Sequence, residues 1–525
     1  MTDDSTNPPA PTNPTPSDPA SSEGPEGTAP GALPRRQFLR VAGAGAGLLF
    51  AGETNVPGRG IVPDIEPTTP VVPARASFNV VVIGAGAWGS FTALNLQKRG
   101  AKVTLVDAYG PGNARSTSGD ETRGVRSSYG DRPGEQGELW TLWARESIKK
   151  WIAFDDEWGR HFRLNLFHTT GDLIMRAEWD NFQLRTKVWW DKNKIPYKVL
   201  NPDDVRKAFP VISMDEITAV LYEPDAGVVR ARRAAQTAAA AFETLGGKIV
   251  IGRATPSKIS NGRIEEISLD TGQTLRADIF VFAVGPWMAK TFPDLLGKKT
   301  RAPLDYVCYF ATPVNDQRFT YPNLPSYNFP GVTGWPALPV DNRGFRVRGA
   351  ERAPTPPGEV AAAPAGRGGR AGNGQGGGNA TGEGGRAGEI PPQQLDPDTS
   401  DRWPDATRIE ASRRFIAHRF PLLKSAPIAQ THACHYEFTS SGNFIIDRHP
   451  QLSNAWIVGG GNAEGFKFSP VIGDYAAQRV LGIGGDAAIA KGFRIPEKVF
   501  EPVPPAKPAD STRRAPPPGP PGESP

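Results

Sequence analysis

The chain has 525 residues, 38% of them hydrophobic, with 59 glycines, 53 prolines and two cysteines. Two cysteines exclude a disulfide framework, and a net charge of +5, carried partly by low-complexity tracts, gives no footprint for nucleic acid. Setting those tracts aside leaves roughly 400 residues of foldable chain, room for two domains.

Residues 1 to about 33 are rich in Pro, Ser, Thr and Asp and predict disorder. Arg35-Arg36-Gln37-Phe38-Leu39-Arg40 and the weakly apolar stretch Val41 to Ala51 follow. Paired arginines before a short Gly/Ala-rich apolar run have the form of a twin-arginine export signal. That run is too short to span a bilayer as a helix. Residues 1–52 are therefore expected to be handed to the twin-arginine machinery, which carries folded proteins out to the periplasm or beyond. A basic N-terminus without that role is the alternative. Residues 53–76 read as a Pro-rich linker.

Val80-Val81-Val82-Ile83 then predicts a buried strand ending in Gly84-Ala85-Gly86-Ala87-Trp88-Gly89. A helix is predicted over 90–98, and a second strand over 102–106 ends at Asp107. This is the spacing of a dinucleotide-binding βαβ unit. Gly84 serves the tight turn, Gly86 the approach of a pyrophosphate, and Gly89 the packing of helix on strand. The helix N-terminus faces the phosphates, and Asp107 stands where an acid accepts ribose hydroxyls. An ordinary glycine turn is the competing reading, and NAD and FAD are not distinguished by the unit.

Residues 110–126 read as a polar glycine-rich loop, 138–158 as a tryptophan-rich amphipathic helix, and 167–175 as a strand. Asn201 to Pro210 is a capped helix stopped by proline, and an alanine-rich helix ends near Gly246-Gly247. Strands follow at 248–251 and 279–284, with a hairpin over 264–277 between them. The segment 353–394 has no apolar periodicity and reads as a flexible insertion. Thr431 to Phe438 reads as one strand whose alternation puts His432, Cys434, Tyr436 and Phe438 on one face. Cys434 and His435 then point apart, which argues against a metal site there. Ala455 to Val458 ends in Gly459-Gly460-Gly461, with Ser469 read as an N-cap and Pro470 as the first helical residue.

The run Val106 to Asp131, V-D-A-Y-G-P-G-N-A-R-S-T-S-G-D-E-T-R-G-V-R-S-S-Y-G-D, resembles flavoproteins of the D-amino-acid-oxidase-like superfamily, and within it monomeric sarcosine oxidase and N-methyltryptophan oxidase. The resemblance extends to about Gly482. It implies an α/β fold with a Rossmann-like FAD-binding domain in three segments (77–160, 229–302, 431–495). A mainly antiparallel substrate domain would fill 161–228 and 303–430, leaving 496–525 as a disordered tail.

It also implies roles. Cys434 matches a cysteine that forms a thioether to the flavin, against a buried inert thiol or a disulfide with Cys308. Tyr436 matches a tyrosine of the substrate pocket. Arg126 and Lys467 match the pair that holds a substrate carboxylate. Thr122, Arg123, Gly285, Trp287, Gly459, Gly460, Gly461, Gly465 and Phe466 fall in segments that approach the flavin. Arg346 stands where the oxidases have a lysine that promotes reaction with oxygen. Ala350 and Glu464 replace histidines of those relatives. The implied activity is FAD-dependent oxidation of an amine or an N-methyl or secondary amino acid by a monomer. Electrons would pass to O2, or in a dehydrogenase to a carrier. A flavin-holding protein without turnover and an NAD-dependent dehydrogenase are the remaining rivals.

Overall fold

The computed structural model describes residues 78–340, 343–354, 396–404 and 406–500. The expected export signal (1–52), the linker (53–76), residues 355–394 of the insertion and residues 501–525 of the tail lie outside them.

The β-branched run at 80–83 forms β1 (Asn79–Ile83), followed by helix α1 (Ala87–Lys98) and β2 (Lys102–Asp107). Two later pairs complete the sheet: β3 (Lys248–Ile251) and β4 (Ile279–Phe282), then β5 (Ile445–Arg448) and β6 (Ala455–Gly459). The spatial order is β5-β6-β4-β1-β2-β3, parallel except for the edge strand β5. Side chains alternate between two cores, as strands buried on both faces require. Val80, Val82, Leu105, Val281 and Val458 face α1, the tryptophan-rich α2 (Gly134–Phe154), the alanine-rich α3 (Ala231–Thr244) and α5 (Ser469–Leu481). Val81, Ile83, Phe280 and Ile457 face the opposite side, against Ile264, Ile267 and Met288.

An eight-stranded sheet stands beside it, antiparallel except where Ser326–Phe329 runs parallel to Asp172–Arg176. Its edge strand Ile428–His435 pairs with Leu304–Phe310, and α4 (Ala406–Arg419) packs on its apolar face. The doubly covered Rossmann-like sheet and the mainly antiparallel second sheet are the expected fold class.

Four local expectations change. Residues 122–125 are a strand, paired with Gly227–Arg230, and not loop. The expected strand 167–175 is two strands in different sheets, Phe167–His168 and Asp172–Arg176, separated by Gly171 at φ +70°. The strand through Cys434 stops at His435, and Phe438–Thr439 pairs elsewhere, with Thr300–Arg301. Ser469 lies inside the first turn of α5 and its hydroxyl donates back to the Phe466 carbonyl, so Phe468 is the cap. Among the described residues no helix is long and apolar enough to cross a membrane.

Candidate active site

One cavity of about 450 Å³ collects the motifs. Its wall includes Gly84, Gly86 and Asp107 from the βαβ unit, Arg123 from the strand at 122–125 and Arg126 just beyond its end, and Gly285 and Trp287 from the turn after β4. Arg346 and Arg348 come from the eight-stranded sheet, Tyr436 from its edge, and Gly459, Gly461, Gly465, Phe466 and Lys467 from the turn between β6 and α5. Four expected residues are not in this wall: Gly89, which packs helix on strand, Thr122, Gly460 and Cys434. Thr122 is buried behind it, accepting from Trp335 Nε1 at 2.8 Å. Gly460 serves the turn at φ +73°. Cys434 stands behind Arg123, whose Nη2 lies 3.3 Å from its sulfur. Cys434 and Cys308 are both free, on neighbouring strands where Cys434 sits opposite Asp305 and Cys308 opposite Thr431. A separation of three along the strand turns the two thiols to opposite faces.

The βαβ end fits a dinucleotide. A Cβ at Gly89 would strike the Gly84 carbonyl, so this glycine is required by packing. A Cβ at Gly86 would meet only Ser118 Oγ, at 3.5 Å, so its need for glycine lies on the cavity side. Asp107 accepts from the backbone N–H groups of Ala85 (2.7 Å), Tyr109 (2.8 Å) and Gly110 (2.9 Å). Asn113 Nδ2 also reaches Oδ1, at 3.4 Å, whereas Oδ2 takes the Ala85 N–H alone and keeps an acceptor position for a ribose hydroxyl. Burial raises the Asp107 carboxyl from its ordinary value, and those three bonds oppose the rise.

At the other end, orphaned polar atoms face the cavity. Arg346 is 1% exposed, stacks 4.0 Å above Trp335 and donates through Nη2 to Asp120 at 3.3 Å, while its Nε and Nη1 have no partner among the described residues. Asp120 also pairs with Arg123. Glu437 Oε1 is likewise without a partner among the described residues. Burial raises the Glu437 carboxyl to about 7, against the opposing pull of the Gly460 and Gly461 N–H groups. Neighbouring arginines add to burial at His432, held at about 3 and so neutral. A bound flavin would give these unpaired donors and acceptors a partner, and the wall's glycines leave room for its rings.

Lys467 Nζ contacts the Glu464 carboxylate and donates to Tyr129 Oη at 2.8 Å. Burial lowers the Lys467 ammonium to about 8, partly countered by Glu464. Burial resists charge on Glu464 too, but Lys467 and Arg126 override it and hold the carboxyl at about 2.

Sequence reasoning missed Glu437 and Asn462. Period-two alternation turns Glu437 away from Tyr436, but the strand has already ended, Tyr436 N bonding to the Pro303 carbonyl, and both side chains reach the cavity. Asn462, left-handed at φ +48°, ties its amide to the Gly460 (2.6 Å) and Asn443 (2.9 Å) carbonyls and accepts from Thr439 N. Asparagine directly after three glycines was the available signal for a left-handed turn.

The profile of a protein family described as FAD dependent oxidoreductase matches residues 79–479. Among curated proteins, the chain is 24% identical over 412 residues to monomeric sarcosine oxidase of Bacillus sp. (strain B-0618), covering 77% of this chain and 92% of that protein. It is 22% identical over 402 residues to N-methyl-L-tryptophan oxidase of Yersinia pestis (strain Pestoides F), covering 76% and 94%. Among solved structures, L-proline dehydrogenase from P. horikoshii superposes with a TM-score of 0.61 at 19% identity, covering 80% and 96%, a likeness of fold.

Proposed function

The chain belongs to the family of FAD-dependent oxidoreductases, and from that premise we propose that it oxidises the carbon–nitrogen bond of an amine or of an N-methyl or secondary amino acid. The observation that carries this reading is the gathering of Arg126, Arg346, Lys467 and Tyr436 in the wall that also holds the glycine turns of the dinucleotide site. FAD, when bound, supplies the acceptor for the hydride that leaves the carbon beside nitrogen. The residues of the chain prepare the substrate. Arg126, a buried cation, and the desolvating wall around it disfavour a second positive charge nearby, while Lys467 is already matched by Glu464. They therefore hold the substrate amine neutral, with the lone pair that drives hydride loss. Tyr436 and Trp335 are 4% exposed and wall the amine from water. Glu437, beside them, is suited to take up the proton that the substrate ammonium gives away.

A second reading keeps the donor and changes the acceptor. Arg346 stacks over Trp335, and it shares Asp120 with Arg123. A guanidinium tied to a carboxylate is a poorer partner for a developing superoxide charge than a free ammonium, which favours an electron carrier over O2.

Anaerobic titration of the holoenzyme with N-methyl and primary amines and amino acids tests both. Bleaching of the visible flavin band by one class is the expected outcome. No bleaching by any of them, from a yellow and folded protein, would sink the amine reading. Admitting air then separates the acceptors by the speed at which the colour returns.

A further inference from the structure

The two cations expected to clamp a substrate carboxylate do not stand equally open. Arg126 is 8% exposed and Lys467 4%. Lys467 has three N–H donors. One goes to Tyr129 Oη at 2.8 Å and another to the carboxylate of Glu464. Glu464 precedes Lys467 by three residues on the same turn, and the turn is pinned by Trp88 Nε1 to the Gly465 carbonyl and Trp151 Nε1 to the Lys467 carbonyl. The Glu464–Lys467 contact is therefore built into the backbone that forms the wall. Arg126 makes no ion pair among the described residues, but Glu464 is the first charge that acts on it and Asp172 the next. The remaining cations of this end are taken. Arg348 holds Asp305 through Nε (3.0 Å) and Nη2 (2.9 Å), and Arg123 and Arg346 share Asp120.

We infer that Glu464 is an internal counter-ion seated in the carboxylate subsite, and that the enzyme consequently acts on amines lacking an α-carboxylate. The inference rests on the amine-oxidation reading and narrows its substrate class. A substrate carboxylate reaching Lys467 would lie beside a second buried carboxylate, where like charges repel with little screening. Glu464 has no solvated place to withdraw to, being 9% exposed. Its carboxyl, held at about 2, stays ionised across the working range, so acidification does not clear the subsite. An uncharged amine meets no such repulsion, and the aromatic faces of Trp335, Tyr436 and Phe466 line the same cavity.

The test compares the wild-type and E464Q holoenzymes, with E464H in parallel so that one variant losing its flavin does not decide the result. Benzoate, titrated against the visible spectrum of the oxidised flavin, is the probe of the subsite. It is expected to bind at least tenfold more tightly to E464Q. In anaerobic mixing, wild type should be reduced at least tenfold faster by N-methylphenethylamine than by N-methyl-L-phenylalanine, and E464Q should narrow that ratio at least tenfold. Unchanged benzoate affinity in flavin-replete E464Q and E464H would overturn the inference. So would faster reduction of the wild type by the amino acid. If benzoate tightens but neither compound reduces either protein, amine oxidation and the substrate class both fall, while the occupation of the subsite by Glu464 stands.

Discussion

Cys434 is buried behind Arg123, and its sulfur accepts from that guanidinium at 3.3 Å. The thiolate is the form in which a cysteine attaches to a flavin. If the thioether forms, acid precipitation of the wild type leaves the yellow chromophore with the protein, and Cys434→Ala releases all of it. Complete release from the wild type would make Cys434 an inert core thiol. At this scale the readable residues were those set by local spacing. Gly84, Gly86, Gly89 and Asp107 fall within one βαβ unit, so their roles follow from order along the chain. Arg126 and Lys467 needed the resemblance, since a lone basic residue is ordinarily a solvated one. The pairing of Asp120 with Arg346, 226 positions away, had no local signal at all.

Among the elements, strands with a clear period were found at nearly their true limits: β1, β2, β3 and β4 each lie within two residues of the expected bounds. Two of the errors arose where a backbone partner from another segment ended the pattern. Gly171 split one expected strand, and the Pro303 carbonyl drew Tyr436 out of another. The β1–α1 turn yields a sharper test of what each glycine does. Gly89→Ala drives a Cβ into the Gly84 carbonyl and should cost about 2–3 kcal/mol, as overpacking does, with lower thermal stability even before cofactor is added. Gly86→Ala meets only a hydroxyl at 3.5 Å. It should fold with an unchanged far-UV spectrum yet hold FAD at least tenfold more weakly. Equal folding defects in the two variants would contradict the assignment of Gly86 to the cofactor.

For the whole molecule, Glu437 links acidity to stability. Its carboxyl is raised from 4.5 to about 7 by burial. A raised acid contributes stability that is complete below the unfolded value and is lost as pH climbs through the folded one. Between pH 4.5 and 7 this amounts to about 3 kcal/mol. Glu437→Gln keeps an acceptor for the Gly460 and Gly461 N–H groups but does not titrate. Its unfolding midpoint should match the wild type near pH 4.5 and exceed it at pH 8; parallel curves across that range would remove Glu437 as the cause.

The six-stranded sheet draws its strands from three distant stretches, and this governs the order in which the protein can be made. At roughly 5–20 residues per second, a ribosome needs on the order of tens of seconds to travel from Gly84 to Gly461. During that interval β1, β2 and β4 can assemble, but β4 has no β6 on its outer side, and the backbone edge of Ile279–Phe282 waits unpaired. An apolar open edge is a template for association between chains. A chain that stalls or is cut before Ala455 thus lacks the strand that shields this edge, along with the Gly459–Lys467 wall, so the newly made protein becomes safe from aggregation and ready for its cofactor at the same late step.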